Sequence, residues 1–309
     1  MRCIELVEIT AYILFHSLNT IITGNKLYIR SILTAALIIT IVNTAKGSEY
    51  SWVHHVDKKP VQTGKYQIYS KNDILFCTGD DPAGTANNKA AELMTAGNFP
   101  EALTILEEAL TRAPLFFPFL YNAGICTLYM NRLQASLIHF RKAAQLVPEY
   151  SNIYLQTGYI YGRLNRESEA LEQFRIGLKK NPKELNTYIL IGDIYFNRNQ
   201  LRTAKKYYET TITLQHSFPN GLLGLAKIHF KNEEYVKAIV LLKSIDTSID
   251  YDKSYHYYFA ESAFKTGDYK TAVEQYETLL KYRNDKFFLV NSMFLITHKL
   301  ELSKRFTER

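Results

Sequence analysis

Histidine and cysteine are among the side chains that could bind a metal or act as a nucleophile near neutral pH, and in this chain their spacing supports neither role. His54 and His55 form a dipeptide, which lacks the one-turn spacing that sets two imidazoles on one helical face. His139, His229 and His256 fall within helical stretches and are expected to be packing histidines. Cys3, Cys77 and Cys126 have no zinc-site spacing and form no disulfide framework. Cys126 is expected to be a small core residue and Cys77 a lone thiol. The chain has no phosphate-cradling glycine loop and no His-Glu-x-x-His. The expectation is therefore a protein that is not an enzyme, with no catalytic residues, no metal and no cofactor.

Composition narrows the alternatives. Of 309 residues 47% are hydrophobic, ample for a buried core, and 23 Tyr and 17 Phe stand against a single Trp. Rings that are apolar at one edge and polar at the other suit half-buried elements. The net charge of +7 is spread along the chain without a Lys/Arg block. That argues against nucleic acid as a partner and leaves a slight bias toward acidic ones.

The elements that position any functional residue follow from an internal repeat. Ala102, Ser136, Ala170, Ala204, Ala238 and Ala272 lie 34 residues apart without insertion or deletion. With periods beginning at Ala83, Phe117, Ser151, Leu185, Pro219 and Lys253, the eighth place is small throughout: Ala90, Gly124, Gly158, Gly192, Ala226, Ala260. The twenty-fourth is large: Leu106, Phe140, Phe174, Tyr208, Leu242, Tyr276. Small residues let two antiparallel helices approach, and large ones fill the adjoining grooves. The fifteenth place reads Gly97, Asn131, Asn165, Asn199, Glu233, Gly267, mostly residues that tolerate the left-handed backbone closing a helix. Pro114, Pro148 and Pro182 at the thirty-second place end the second helix. His216, Asp250 and Asn284 replace proline later, so those junctions are expected to differ, and bulky Ile245 and Leu279 at the twenty-seventh place predict looser packing in periods five and six.

These columns resemble the tetratricopeptide repeat, with its small residues at places 8, 20 and 27, aromatic at 24 and proline at 32. The resemblance covers residues 83–284 and departs from the family at place 4, where Ala86, Leu120, Tyr154, Tyr188, Leu222 and His256 stand for the usual Trp. It implies an all-α fold, a right-handed superhelical solenoid of antiparallel helix pairs, with six units at 83–116, 117–150, 151–184, 185–218, 219–252 and 253–286. It further implies that places 2, 5, 6, 9, 12 and 13 face a concave groove that takes a peptide or protein segment. Place 6 carries Asn88, Asn122 and Gln156, and in the family an amide ladder there holds the main chain of an extended peptide, each amide offering donor and acceptor. The expected groove residues also include Tyr121, Tyr129, Tyr159, Arg163, Asp193, Phe196, Lys227 and Lys231. A chaperone-tail clamp is not expected, since only Asn122 matches that pattern.

Outside the repeat, Lys26 and Arg30 precede an apolar run, Ile32 to Val42, followed by small and polar residues from Asn43 to Ser48. This is the order of a secretory signal, assigned to residues 26–47 with cleavage after Gly47. Its core of about a dozen residues falls short of the roughly 20 that span a bilayer. Residues 1–25 fit poorly, which points to a start near Leu27; if they are made, the two apolar stretches could form a membrane hairpin. Residues 48–82 read as a linker or arm with a small hairpin around Lys71-Asn72-Asp73, and 287–306 as a capping helix. Together these readings predict a non-catalytic scaffold for protein binding, exported to the bacterial periplasm or cell envelope, or alternatively membrane-anchored. The competing expectation is an assembly or targeting subunit of a membrane-associated enzyme or secretion complex.

Overall fold

A computed structural model describes residues 68–78, 81–246, 253–282, 287 and 291–308. The expected signal at 26–47, the segment 1–25 and His54-His55 lie outside the described residues. The described part is all-α apart from one hairpin, its helices following one another along the chain in the order of the repeat. Its contacts fall into two compact units, one up to Cys126 and the other from Thr127.

The first unit opens with strands β1 (Ile68–Lys71) and β2 (Ile74–Cys77), paired antiparallel with Lys71 opposite Ile74. Asn72 and Asp73 both have positive φ, 49° and 63°, which is the two-residue turn whose twist matches a hairpin. Helix α1 (Pro82–Thr95) follows, started by Pro82 and by the Asp81 carboxylate accepting from the Gly84 N–H at 2.6 Å. α2 (Phe99–Arg112) completes the first pair, and α3 (Phe117–Tyr129) begins the next.

The second unit continues with α4 (Leu133–Leu146), α5 (Ser151–Arg163), α6 (Glu167–Lys180), α7 (Leu185–Asn197), α8 (Leu201–Leu214), α9 (Pro219–Lys231), α10 (Tyr235–Lys243), α11 (Lys253–Thr266), α12 (Tyr269–Leu280) and α13 (Met293–Thr307). The twentieth-place residues, Ala102 to Ala272, all have 0% exposure, so the columns seen in the sequence are the seams between helices. At the twenty-fourth place Leu106, Phe140, Tyr208, Leu242 and Tyr276 are also at 0%. Helix α10 ends early at Lys243, and bulky Ile245 is buried beyond its last turn. Tyr154 and Tyr188, where the family has Trp, donate from their hydroxyls to the carbonyls of Pro148 and Pro182 at 2.9 and 3.1 Å. Each ring thereby ties a first helix to the junction before it.

Every first helix closes the same way. Gly97, Asn131, Asn165, Asn199, Glu233 and Gly267 have φ between 57° and 81°. The next N–H reaches back to the helix, as in Asn98 to Leu93 O at 2.8 Å and Glu234 to His229 O at 2.9 Å. Glu233 is the member with neither the freedom of glycine nor the local hydrogen bonding of asparagine. Glu233→Gly is therefore expected to raise stability by about 0.5–1 kcal/mol, read as a higher urea midpoint at unchanged helicity.

Candidate functional site

The residues expected to line a groove divide into three groups by environment. Tyr121 and Asn122 on α3 have 0% exposure, and Tyr121 packs against Phe117 with ring centroids 6.0 Å apart. Gln156 is 8% exposed and Phe196 9%. These four are core residues as they stand.

The ninth place forms a second group in which charges meet one another. The Asp193 carboxylate accepts from the Tyr208 hydroxyl at 2.7 Å and from the Lys227 ammonium at 2.8 Å, and that ammonium lies 4.8 Å from the Phe196 ring. The same arrangement recurs two repeats later. Glu261 accepts from the Tyr276 hydroxyl at 2.8 Å and from Lys299 at 2.6 and 2.9 Å. Burial, followed by the adjacent carboxylate, pushes both tyrosine hydroxyls well above their ordinary range. They stay neutral donors, so Asp193 and Lys227 are spent on joining adjacent repeats.

A third group is exposed. Tyr129 is 64% and Tyr159 43% exposed, and Arg163 and Lys231 are open to solvent. The Arg163 guanidinium sits 6.0 Å from the Tyr159 ring and donates to Asn131 Oδ1 at 2.7 Å. That bond orients the cation without neutralising it, because the acceptor is an amide. In the second unit the thirteenth place of successive first helices reads Tyr129, Arg163, Asn197, Lys231, Lys265, every one exposed. A surface of rings and cations is suited to an acidic or aromatic segment.

Asn88 and Asn122 do hold an extended main chain, and it is the chain's own. Asn122 Oδ1 accepts from the Leu75 N–H at 2.9 Å, and its Nδ2 donates to Leu75 O at 2.8 Å and to Asn87 Oδ1 at 2.9 Å. Asn88 Oδ1 accepts from the Cys77 N–H at 2.8 Å, and its Nδ2 donates to Cys77 O at 2.7 Å. Asn87, not among the expected site residues, donates from Nδ2 to Leu75 O at 2.8 Å. Its neighbour Asn88 was the available signal for it. The hairpin is thus a docked element of the first unit and not a bare spacer.

The remaining candidates for chemistry are packed away. His229 and His256 bond Glu234 and Gln275 at 2.6 and 2.9 Å. Cys77 and Cys126 are buried and unbridged, and burial pushes both thiols up to about 12. At pH 8 only about one molecule in ten thousand then carries either thiolate. Both should stay unmodified by iodoacetamide in the native chain at pH 8 and react fully in guanidinium, as read by peptide mass mapping. Among the described residues there is no cluster of three or more His, Cys, Asp or Glu able to hold a metal, and no helix is long and apolar enough to cross a membrane.

Comparison with known proteins places these features in context. Residues 87–151 match the family model described as Tetratricopeptide repeat, and residues 197–279 match that of Anaphase-promoting complex, cyclosome, subunit 3. The TPR repeat-containing protein YpiA of Bacillus subtilis (strain 168) is 22% identical over 215 residues, covering 69% of this chain and 50% of its own. The chain thus spans about half the length of that curated relative. Among solved structures, PilF of Pseudomonas aeruginosa superposes with a TM-score of 0.58 at 16% identity, over 66% of this chain and 93% of that one. PilW, described as a widely conserved type IV pilus biogenesis factor, gives 0.57 at 19% identity, over 72% and 99%. The Cut9–Hcn1 hetero-tetramer of the APC/C gives 0.58 at 14%, over 74% and 43%. At these identities the likeness is one of fold, the repeated helix pair.

Proposed function

Because the chain belongs to the tetratricopeptide-repeat family, a fold of protein–protein interaction scaffolds, we propose that its work is non-catalytic capture of a protein segment on the exposed face of its first helices. The observation that carries this reading is the thirteenth-place column of the second unit, where Tyr129, Arg163, Lys231 and Lys265 are exposed while the neighbouring acids Asp193 and Glu261 are already paired with lysines. A segment bearing carboxylates and rings fits that column, in keeping with the net charge of +7. The basic, apolar, then small-residue order of residues 26–47 supports export, which would put the encounter in the bacterial envelope.

The test is pull-down from envelope extract with the full chain and with a Tyr129→Ala/Tyr159→Ala/Arg163→Ala variant. All three residues are exposed, so the variant is expected to keep its helicity and lose the recovered partner. Binding should also weaken as salt rises from about 0.05 to about 0.5 M, since exposed charges are screened over a Debye length. Equal recovery by the two forms would remove this face from the argument.

A further inference from the structure

In an antiparallel strand alternate residues turn their N–H and C=O to the same side. On β2 those of Leu75 and Cys77 are met, where a third strand would lie, by three asparagine side chains on α1 and α3. Four main-chain groups make five hydrogen bonds with these amides, and Asn87 Nδ2 in addition donates to Cys77 Sγ at 3.5 Å. Asn87 and Asn122 have 0% exposure with β2 in place, so the strand both covers these amides and supplies their hydrogen-bond partners. Such amides specify an extended main chain.

Two further observations separate the strand from the framework that holds it. The asparagines occupy the fifth and sixth places of the period, whereas helix-to-helix packing is carried by the eighth, twentieth and twenty-fourth. In the second unit the sixth place reads Gln156, Leu190, Gly224 and Tyr258, with one amide and no neighbouring asparagine pair, and among its described residues the helix pairs stack with no strand against them. Selection lies in the alternate side chains: Leu75 is 1% and Cys77 2% exposed, while Phe76 between them is only half-buried. The docked register takes a branched aliphatic side chain and then a small one.

We propose that Asn87, Asn88 and Asn122 form a binding site for an extended polypeptide strand, that β2 is its intramolecular occupant, and that a partner strand with side chains alternating like Leu75 and Cys77 binds by replacing the hairpin. This rests on the reading that the first-helix face is the working surface. The hairpin joins α1 through residues 78–81, so its effective concentration is high and a partner competes only where the hairpin's own hold is weakened.

The probe is a fluorescein-labelled peptide of residues 66–80, titrated by anisotropy against the full chain. Leu75→Asp places a carboxylate where there is no water, ejecting β2 while leaving the three amides intact. This variant is expected to bind the peptide at least about tenfold more tightly than the unaltered chain, and adding Asn122→Ala should lower that affinity by about tenfold or more. Alkylation at Cys77 should rise in parallel. A helical Leu75→Asp chain that binds no better than the unaltered one, or whose binding ignores Asn122, overturns the proposal.

Should Leu75→Asp prevent folding, a protease site inserted between Thr78 and Asp81 of the otherwise unaltered chain answers the same question. After cutting, exchange of the hairpin for labelled peptide supports the site. Retention without exchange, or loss without rebinding, overturns it. Neither arm touches Tyr129, Tyr159 or Arg163, so its failure and that of the exposed-face reading are distinguishable.

Discussion

Lys299→Ala is expected to release the last helix from the repeat array at a cost of about 2–4 kcal/mol. Glu261 keeps only 5% of its side chain exposed, and Lys299 supplies the positive charge beside it, with its ammonium 5.8 Å from the Phe264 ring. Truncating one partner of a buried pair strands the other, at about 3–5 kcal/mol when both are buried. Lys299 is 27% exposed, which places the expected loss somewhat lower. The Tyr276 hydroxyl alone cannot compensate a carboxylate. The measurement is urea unfolding with hydrogen exchange over residues 293–307, where protection should fall first. Glu261→Gln/Lys299→Met removes both charges and should recover most of the loss. A drop below about 1 kcal/mol for Lys299→Ala would show that the pair holds little.

This pair also explains what α13 is. Asp193, Tyr208 and Lys227 join repeat four to repeat five, and Glu261, Tyr276 and Lys299 join repeat six to α13 by the same three chemistries. The terminal helix therefore stands where the first helix of a seventh repeat would, covering Ala260, Ala272 and Leu279 with Ile296 and Leu300.

The second large effect is expected at Gly192. A Cβ there would lie 2.5 Å from Tyr208 Cε1, and one at Gly224 would lie 2.5 Å from Cδ1 of the same ring. The ring is held between α7 and α9 by two glycines, so it cannot retreat from one without meeting the other. Overpacking a well-packed core costs about 1–3 kcal/mol, and with both sides blocked Gly192→Leu should reach about 3 kcal/mol or more. Thermal unfolding and a urea midpoint read this directly. Gly192→Ala combined with Tyr208→Leu should be less damaging than the sum of the two single changes, since removing the ring removes the clash. Strict additivity would mean that the contact is not the cause.

The framework of these predictions is legible without coordinates. Places 8, 15, 20 and 24 follow from residue size and backbone tolerance alone, and the structure puts left-handed backbone at all six fifteenth places and 0% exposure at all six twentieth places. Both are properties of a single helix pair repeated, so local sequence suffices. The hairpin turn at Asn72-Asp73 is legible for the same reason. The early end of α10 coincides with bulky Ile245 and the absence of proline at the following junction.

Site residues are a different matter. Spacing puts Tyr121, Asp193 and Lys227 on the same helical face as Tyr159 and Arg163, and nothing local distinguishes them. Tyr121 is buried, and Asp193 is neutralised by a lysine 34 residues away. Place 6 marks Asn88 and Asn122 as holders of an extended main chain, but Leu75, which Asn122 holds, lies 47 residues earlier. Helical period and turn chemistry are interactions between near neighbours, so the order of residues determined the repeat, its seams and its closures. Which amides are filled, which charges cancel and which rings stay open depend on pairings between distant segments, and only the tertiary structure decided those.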